Sequence, residues 1–134
     1  SYEKTKAHMF RAVMEGCAFA LQHNLLTAEK SGVHIDTLHS VGGAANSLIW
    51  TQIKSDVTGK PFKVPSSDCS AALGAALLAG VGTGVYRDFA EAVQRTIRIQ
   101  REHRPNPVHK STYDEMYSIY LEIYQRLKDV FPRL

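Results

Sequence analysis

The chain has 134 residues, enough for one domain with a single modest core. Its 44% hydrophobic and 22% charged residues are those of an ordinary globular protein, and a formal charge of +3 is spread along the chain rather than gathered into the basic run that nucleic acid demands. No apolar stretch reaches the roughly 20 residues of a membrane-spanning helix and no secretory signal opens the sequence, so neither nucleic acid nor membrane is an expected partner.

From Thr5 to about Lys30, Phe10, Met14, Cys17, Leu21 and Leu25 recur at helical spacing, with Ala7, Val13 and Ala18 on the same side. Ser31-Gly32 supplies the stop. Ile35 to Val41 alternates and runs into Gly42-Gly43, which predicts a short strand and a tight turn. Asn46 or Ser47 can cap the next helix, whose apolar side is Leu48, Ile49, Trp50, Ile53 and Val57 and whose end is Thr58-Gly59. Pro61 to Pro65 reads as a second strand. Ser66, Ser67 and Asp68 are capping residues ahead of Ala71 to Gly80, a helix of alanine, leucine and glycine that suits close packing, as Gly16 and Gly74 also do. Asp88 to Val93 begins a short helix, and Arg101 to Pro107 reads as a polar connector. Thr112 to Val130 sets Tyr113, Tyr117, Tyr120 and Tyr124 on one face of a last helix, where they dock it or form a subunit contact.

Strands alternating with helices imply an α/β fold with parallel pairing. Two strands do not make a stable isolated sheet, so an edge is expected to need strands from outside this sequence, or to promote self-association into a homodimer. The chain opens at Ser1 without an initiator methionine and enters a helix at once, so it is expected to be a piece of a longer protein. Cys17 and Cys69 lack a C-x-x-C partner and read as buried free thiols in a reducing cytoplasm. The six histidines form no H-E-x-x-H and no Cys/His cluster, so no metal site is expected.

The segment with most chemical content is Val41-Gly42-Gly43-Ala44-Ala45-Asn46-Ser47. Glycines between a strand and a helix let a ligand approach the main chain, and the helix start offers N–H groups suited to phosphate. The same glycines also serve a tight strand-to-helix turn that binds nothing. The segment matches neither G-x-G-x-x-G nor the P-loop.

Three stretches in order carry a resemblance. His8-Met9-Phe10-Arg11-Ala12-Val13-Met14-Glu15-Gly16 resembles the R-A-[VL]-[LM]-E-G half of a signature of the FGGY carbohydrate kinases. Gly42 to Ser47, with Trp50, Gln52, Asp56-Val57 and Gly59-Lys60-Pro61, resembles that family's adenosine-binding segment, with Ala44 and Ser55 standing where a third glycine and an alanine are common. Ala71 to Ala79 resembles its A-A-L-G-A-A-L-L-A helix, although Cys69-Ser70 departs from the usual acidic residue before it. The tyrosine-rich tail is similar to the closing helix of xylulokinase-like members.

The resemblance implies part of a ribonuclease H-like (actin-like ATPase) domain, with two short parallel strands and flanking helices. Residues 1–134 would form the C-terminal portion of the second, nucleotide-binding domain of a two-domain cytoplasmic enzyme, the sugar-binding domain lying upstream. It implies ATP and Mg²⁺, a small sugar such as xylulose or a related ketose or polyol, and an aspartate base. None of Asp36, Asp56, Asp68, Asp88, Asp114 or Asp129 matches the motif of that base, so no catalytic residue is assigned. Gly42, Gly43 and Ala44 are the expected nucleotide contacts; Asn46 and Ser47 add polar contacts or act only as caps. Trp50 is read as a core anchor rather than an adenine stack. The alternative is a non-catalytic dimerisation or regulatory module with the same fold.

Overall fold

The computed structural model describes residues 3–66 and 70–133. Ser67, Asp68 and Cys69 therefore lie outside the described residues, and with them two of the expected caps and one thiol.

Helix α1 spans Lys6–Lys30 and is entered through Thr5, whose N–H donates to His8 Nδ1 at 3.1 Å. It stops where expected, at Ser31 and at Gly32, which takes φ 92°. Strand β1 is only Leu38–His39; the 3₁₀ turn Gly43–Asn46 follows and leads into α2, Leu48–Thr58. Gly59, at φ 66°, closes α2 in the left-handed region. Then come β2, Phe62–Pro65; α3, Ser70–Gly82; α4, Phe89–Thr96, capped by Asp88 accepting from the Glu91 N–H; β3, Ile99–His103; and α5, Lys110–Leu127.

The sheet runs β1-β2-β3, with β1 and β2 parallel as the alternation of elements required. β3 is an addition: it pairs antiparallel with β2, His103 opposite Phe62 and Arg101 opposite Val64. The start of the segment read as a polar connector is thus an edge strand. Its Ile-Gln-Arg-Glu-His sequence carries almost no apolar period, because only His103 is buried and the rest is held by main-chain bonds.

The core lies where α1, α2 and α5 meet. Phe19 packs with Ala18, Ile53, Val57, Tyr113 and Tyr117, and Trp50, Met14, Tyr120 and Leu121 lean on this cluster. Phe19 makes an edge contact with Tyr113, ring centroids 6.2 Å apart, and tilted contacts with Tyr117 and Tyr120. The tyrosines therefore dock α5 onto α1. Tyr113 is fixed further: its hydroxyl donates to Glu15 Oε1 and accepts from Arg11 Nη2, each at 2.9 Å, and burial raises its pKa.

Several expectations need correction. Cys17 is exposed, and so are Phe10 (70%) and Val13 (66%), because the N-terminal half of α1 runs past the neighbours that bury Ala18, Phe19 and Leu25. The apolar side of α2 divides likewise: Ile53 and Val57 are buried, whereas Leu48 and Ile49 are exposed. A Cβ at Gly16 or Gly74 would meet nothing within 4 Å, so among the described residues neither glycine packs closely against another element; at Gly80 it would meet the Tyr86 ring at 2.7 Å. Among the described residues no helix is long and apolar enough to cross a membrane.

Candidate nucleotide-binding turn

Parallel pairing sets the stage. The Leu38 N–H donates to Pro61 O and the Ser40 N–H to Lys63 O, so β1 is held to the point where the chain must turn. Gly42 then takes φ 79°, a conformation that side-chain-bearing residues rarely adopt, and nothing lies within 4 Å of where its Cβ would be. Gly43, equally open, starts the 3₁₀ turn, which is closed by the Ala45 N–H donating to Gly42 O at 2.9 Å and the Ser47 N–H donating to Ala44 O at 3.3 Å. The N–H groups of Gly43 and Ala44 are the first two of the turn and fall outside its own ladder. Gly43 and Ala44 are exposed, while Ala45 beneath them is 1% exposed.

The expected helix terminus is displaced. α2 begins five residues after Gly43, and its first turn is capped by Ser47 Oγ, which accepts from the Trp50 N–H at 3.2 Å. Ser47 thus serves as a cap. Asn46 is exposed at the end of the 3₁₀ turn and does not cap α2. What the turn presents is the outward backbone of Gly42, Gly43 and Ala44 rather than the end of a long helix dipole.

A cavity of about 280 Å³ opens beside this turn. Val41, immediately before Gly42, forms part of its wall with His39, Pro65, Leu73, Leu77 and Ile97. That volume falls just below the range of ligand cavities, which starts at about 300 Å³, and its lining is chiefly aliphatic. It has room for a flat base rather than a whole nucleotide. Trp50 does not face it: the indole leans on the core, and Lys54 Nζ lies 5.4 Å from its ring and donates to Ser40 Oγ at 2.8 Å. Burial lowers the pKa of Lys54.

The turn is supported from β3 and α2. Arg101 Nη2 on β3 donates to the carbonyl of Ala45, and Thr51 Oγ1 reaches the same oxygen at 3.4 Å. Arg101 Nε also donates to His103 Nε2 at 3.2 Å. The only hint in the sequence was the alternation Ile99, Arg101, His103, which a charged strand makes weak.

Residues 41–47 contain no carboxylate, and the turn offers donors, so it suits an anionic or polar ligand and does not fit Mg²⁺. Asp56, the nearest buried carboxylate on α2, accepts from Gln52 Nε2, from the Asn106 N–H and from His109, and is committed to structure.

Comparison with known proteins shows the family. Residues 1–83 match the family model described as the FGGY family of carbohydrate kinases, C-terminal domain. The chain belongs to that family. An autoinducer-2 kinase from Enterobacter sp. (strain 638) is 40% identical over 120 residues, 89% of this chain and 23% of the relative. Among solved structures, the xylulose kinase from Rhodospirillum rubrum superposes with a TM-score of 0.86 at 26% identity, over 98% of this chain and 27% of that one. One described as a xyloylose kinase, from Brucella ovis, gives 0.87 at 29% identity, over 97% and 27%. The ribonuclease H-like, actin-like fold class expected from the sequence is thereby shown, with β3 added to its two parallel strands. The chain spans about a quarter of the length of the relatives it matches.

Proposed function

We propose that this FGGY chain forms the adenosine-binding wall of an ATP-dependent carbohydrate kinase. It would be the C-terminal portion of the second of two domains, with the sugar site and the aspartate base supplied by the rest of the polypeptide. One observation carries the reading: the open backbone of Gly42, Gly43 and Ala44 lies next to an aliphatic cavity large enough for a base. A purine enters the cavity beside Val41, and the Gly43 and Ala44 N–H groups meet the polar part of the ligand that follows it. Transfer of a phosphoryl group depends on positioning and on charge neutralisation, and this wall contributes the first. Mg²⁺, when bound with ATP, would be held by groups outside the turn.

The acceptor is a small sugar-like ketose or polyol. Relatives named autoinducer-2 kinase share 40–41% of residues with this chain, and the two xylulose-kinase structures share 26–29%, so an acceptor of the first kind deserves testing beside xylulose.

Calorimetric titration with ATP tests the nucleotide reading. The wild-type protein should give a saturable heat that Gly43→Trp abolishes, because an indole there fills the approach to the main chain. Equal heats from both folded proteins, or none from the wild type, would remove the turn as a site. This chain by itself should not phosphorylate any sugar, and robust turnover would show that the base lies within it.

A further inference from the structure

The carbonyl of Ala45 is the inward-facing end of the glycine turn, and its main donor comes from another element. Arg101 reaches it from β3. The guanidinium is oriented in turn by His103, whose Nε2 accepts from Arg101 Nε, which leaves the proton of a neutral ring on Nδ1, facing Gln52 Oε1 at 3.0 Å. Gln52 is itself fixed, because its Nε2 donates to Asp56 Oδ1 at 2.7 Å and to Arg104 O at 2.8 Å. Asp56, with its side chain 3% exposed, also accepts from the Asn106 N–H at 2.8 Å and pairs with His109 Nδ1 at 3.0 Å. Donor and acceptor alternate without conflict from Ala45 to Asp56 only while His103 is neutral.

Resting on the nucleotide reading above, we propose that Arg101 is the positioning residue of the turn, that neutral His103 holds it in place, and that protonating His103 weakens nucleotide binding by releasing it.

A proton on Nε2 would face the Arg101 Nε–H, donor against donor, and place a second positive charge beside the guanidinium. The other charged groups facing the ring are Lys54 and Asp56 on α2; β2 presents the apolar Phe62 opposite. Burial first, then Arg101 and Lys54, lower the pKa of His103, and Asp56 opposes them. The neutral form is thus the resting one near pH 7. Loss of the anchor acts on binding through the turn, whose Ala45 carbonyl Arg101 holds.

The test is ATP affinity by calorimetry on the full-length protein that carries this chain, between pH 7.5 and 5.5. Arg101→Met should weaken ATP binding about tenfold at pH 7.5, the effect of losing a charge-assisted bond, and Arg101→Lys should not restore it because one ammonium cannot replace the fork. Wild-type affinity should fall more steeply on acidification than that of His103→Gln, which accepts a bond but does not titrate; ATP's own protonation is common to both and cancels. Circular dichroism checks folding, and the His103→Gln comparison stands should Arg101→Met unfold. Unchanged affinity in a folded Arg101→Met protein, or parallel pH profiles for wild type and His103→Gln, overturns the proposal while leaving the nucleotide site intact. A wild type that binds no ATP at any pH overturns the site reading and this proposal together.

Discussion

Helices α2 and α3 each follow one of the two parallel strands and are stabilised in opposite ways. α2 buries Thr51, Ile53, Ser55, Asp56 and Val57, and its polar side chains are bonded to other parts of the chain: the Ser55 hydroxyl proton is shared between Lys60 O and His103 O, and Gln52 and Asp56 reach Arg104 and Asn106. α3 is richer in apolar residues, yet none of residues 71–82 is buried, and Leu78 is 63% exposed. The side that carries the glycine turn is built by the chain's own bonds, whereas α3 offers an apolar surface of the kind that marks a contact face. Under the proposal above, the remainder of the kinase covers it.

Substitutions should separate the two helices sharply. Ile53→Ala, at a site 2% exposed, should cost about 2–5 kcal/mol in urea unfolding, through lost burial and the cavity left behind. Asp56→Leu should cost about 3 kcal/mol, since it strands the Asn106 N–H and the Gln52 amide and leaves His109 unpaired. Tyr113→Phe, which removes the bonds to Arg11 and Glu15 but keeps the ring in the core, should cost about 1 kcal/mol. Leu78→Ser on α3 should change stability by under about 0.5 kcal/mol in this chain, as exposed substitutions do. A large loss from Leu78→Ser, or none from Asp56→Leu, would erase the contrast.

A pH effect sharpens it further. His103 titrates below its usual value in the folded state, so between the two pKa values the unfolded chain binds more protons and stability rises with pH. Its contribution is fully present above about pH 6.5, the unfolded value, and is lost as pH falls through the folded one. Urea midpoints measured from pH 7.5 to 5 should decline less in His103→Gln than in wild type.

Much of this was legible in the sequence because local chemistry decided it. Ser47 caps α2 and Gly32 and Gly59 end helices as their types demand, and Gly42 has the positive φ its place between strand and helix required. The helix-forming spacing of α1 was also correct, but which face it buries was not: periodicity locates an apolar side, and only the position of α5 decides that Phe19 is covered and Phe10 is not. β3 escaped notice for a related reason. Its residues are chosen for partners 34 to 56 positions away, Pro65 opposite Ile99 and Ala45 held by Arg101 at the two extremes, and such long-range bonds leave no local pattern. Hence the glycines of the candidate site could be read, and the arginine that holds Ala45 beneath them could not.

Under the proposed function, the backbone of Gly42, Gly43 and Ala44 receives a nucleotide. Amide chemical shifts of the ¹⁵N-labelled protein, followed during ATP titration, test it most directly. Saturable shifts should concentrate at these three residues and at Val41 beside the cavity, with the α1–α5 contact around Phe19 unmoved. Saturable shifts elsewhere with the turn silent, or no shifts from a folded protein, would contradict it.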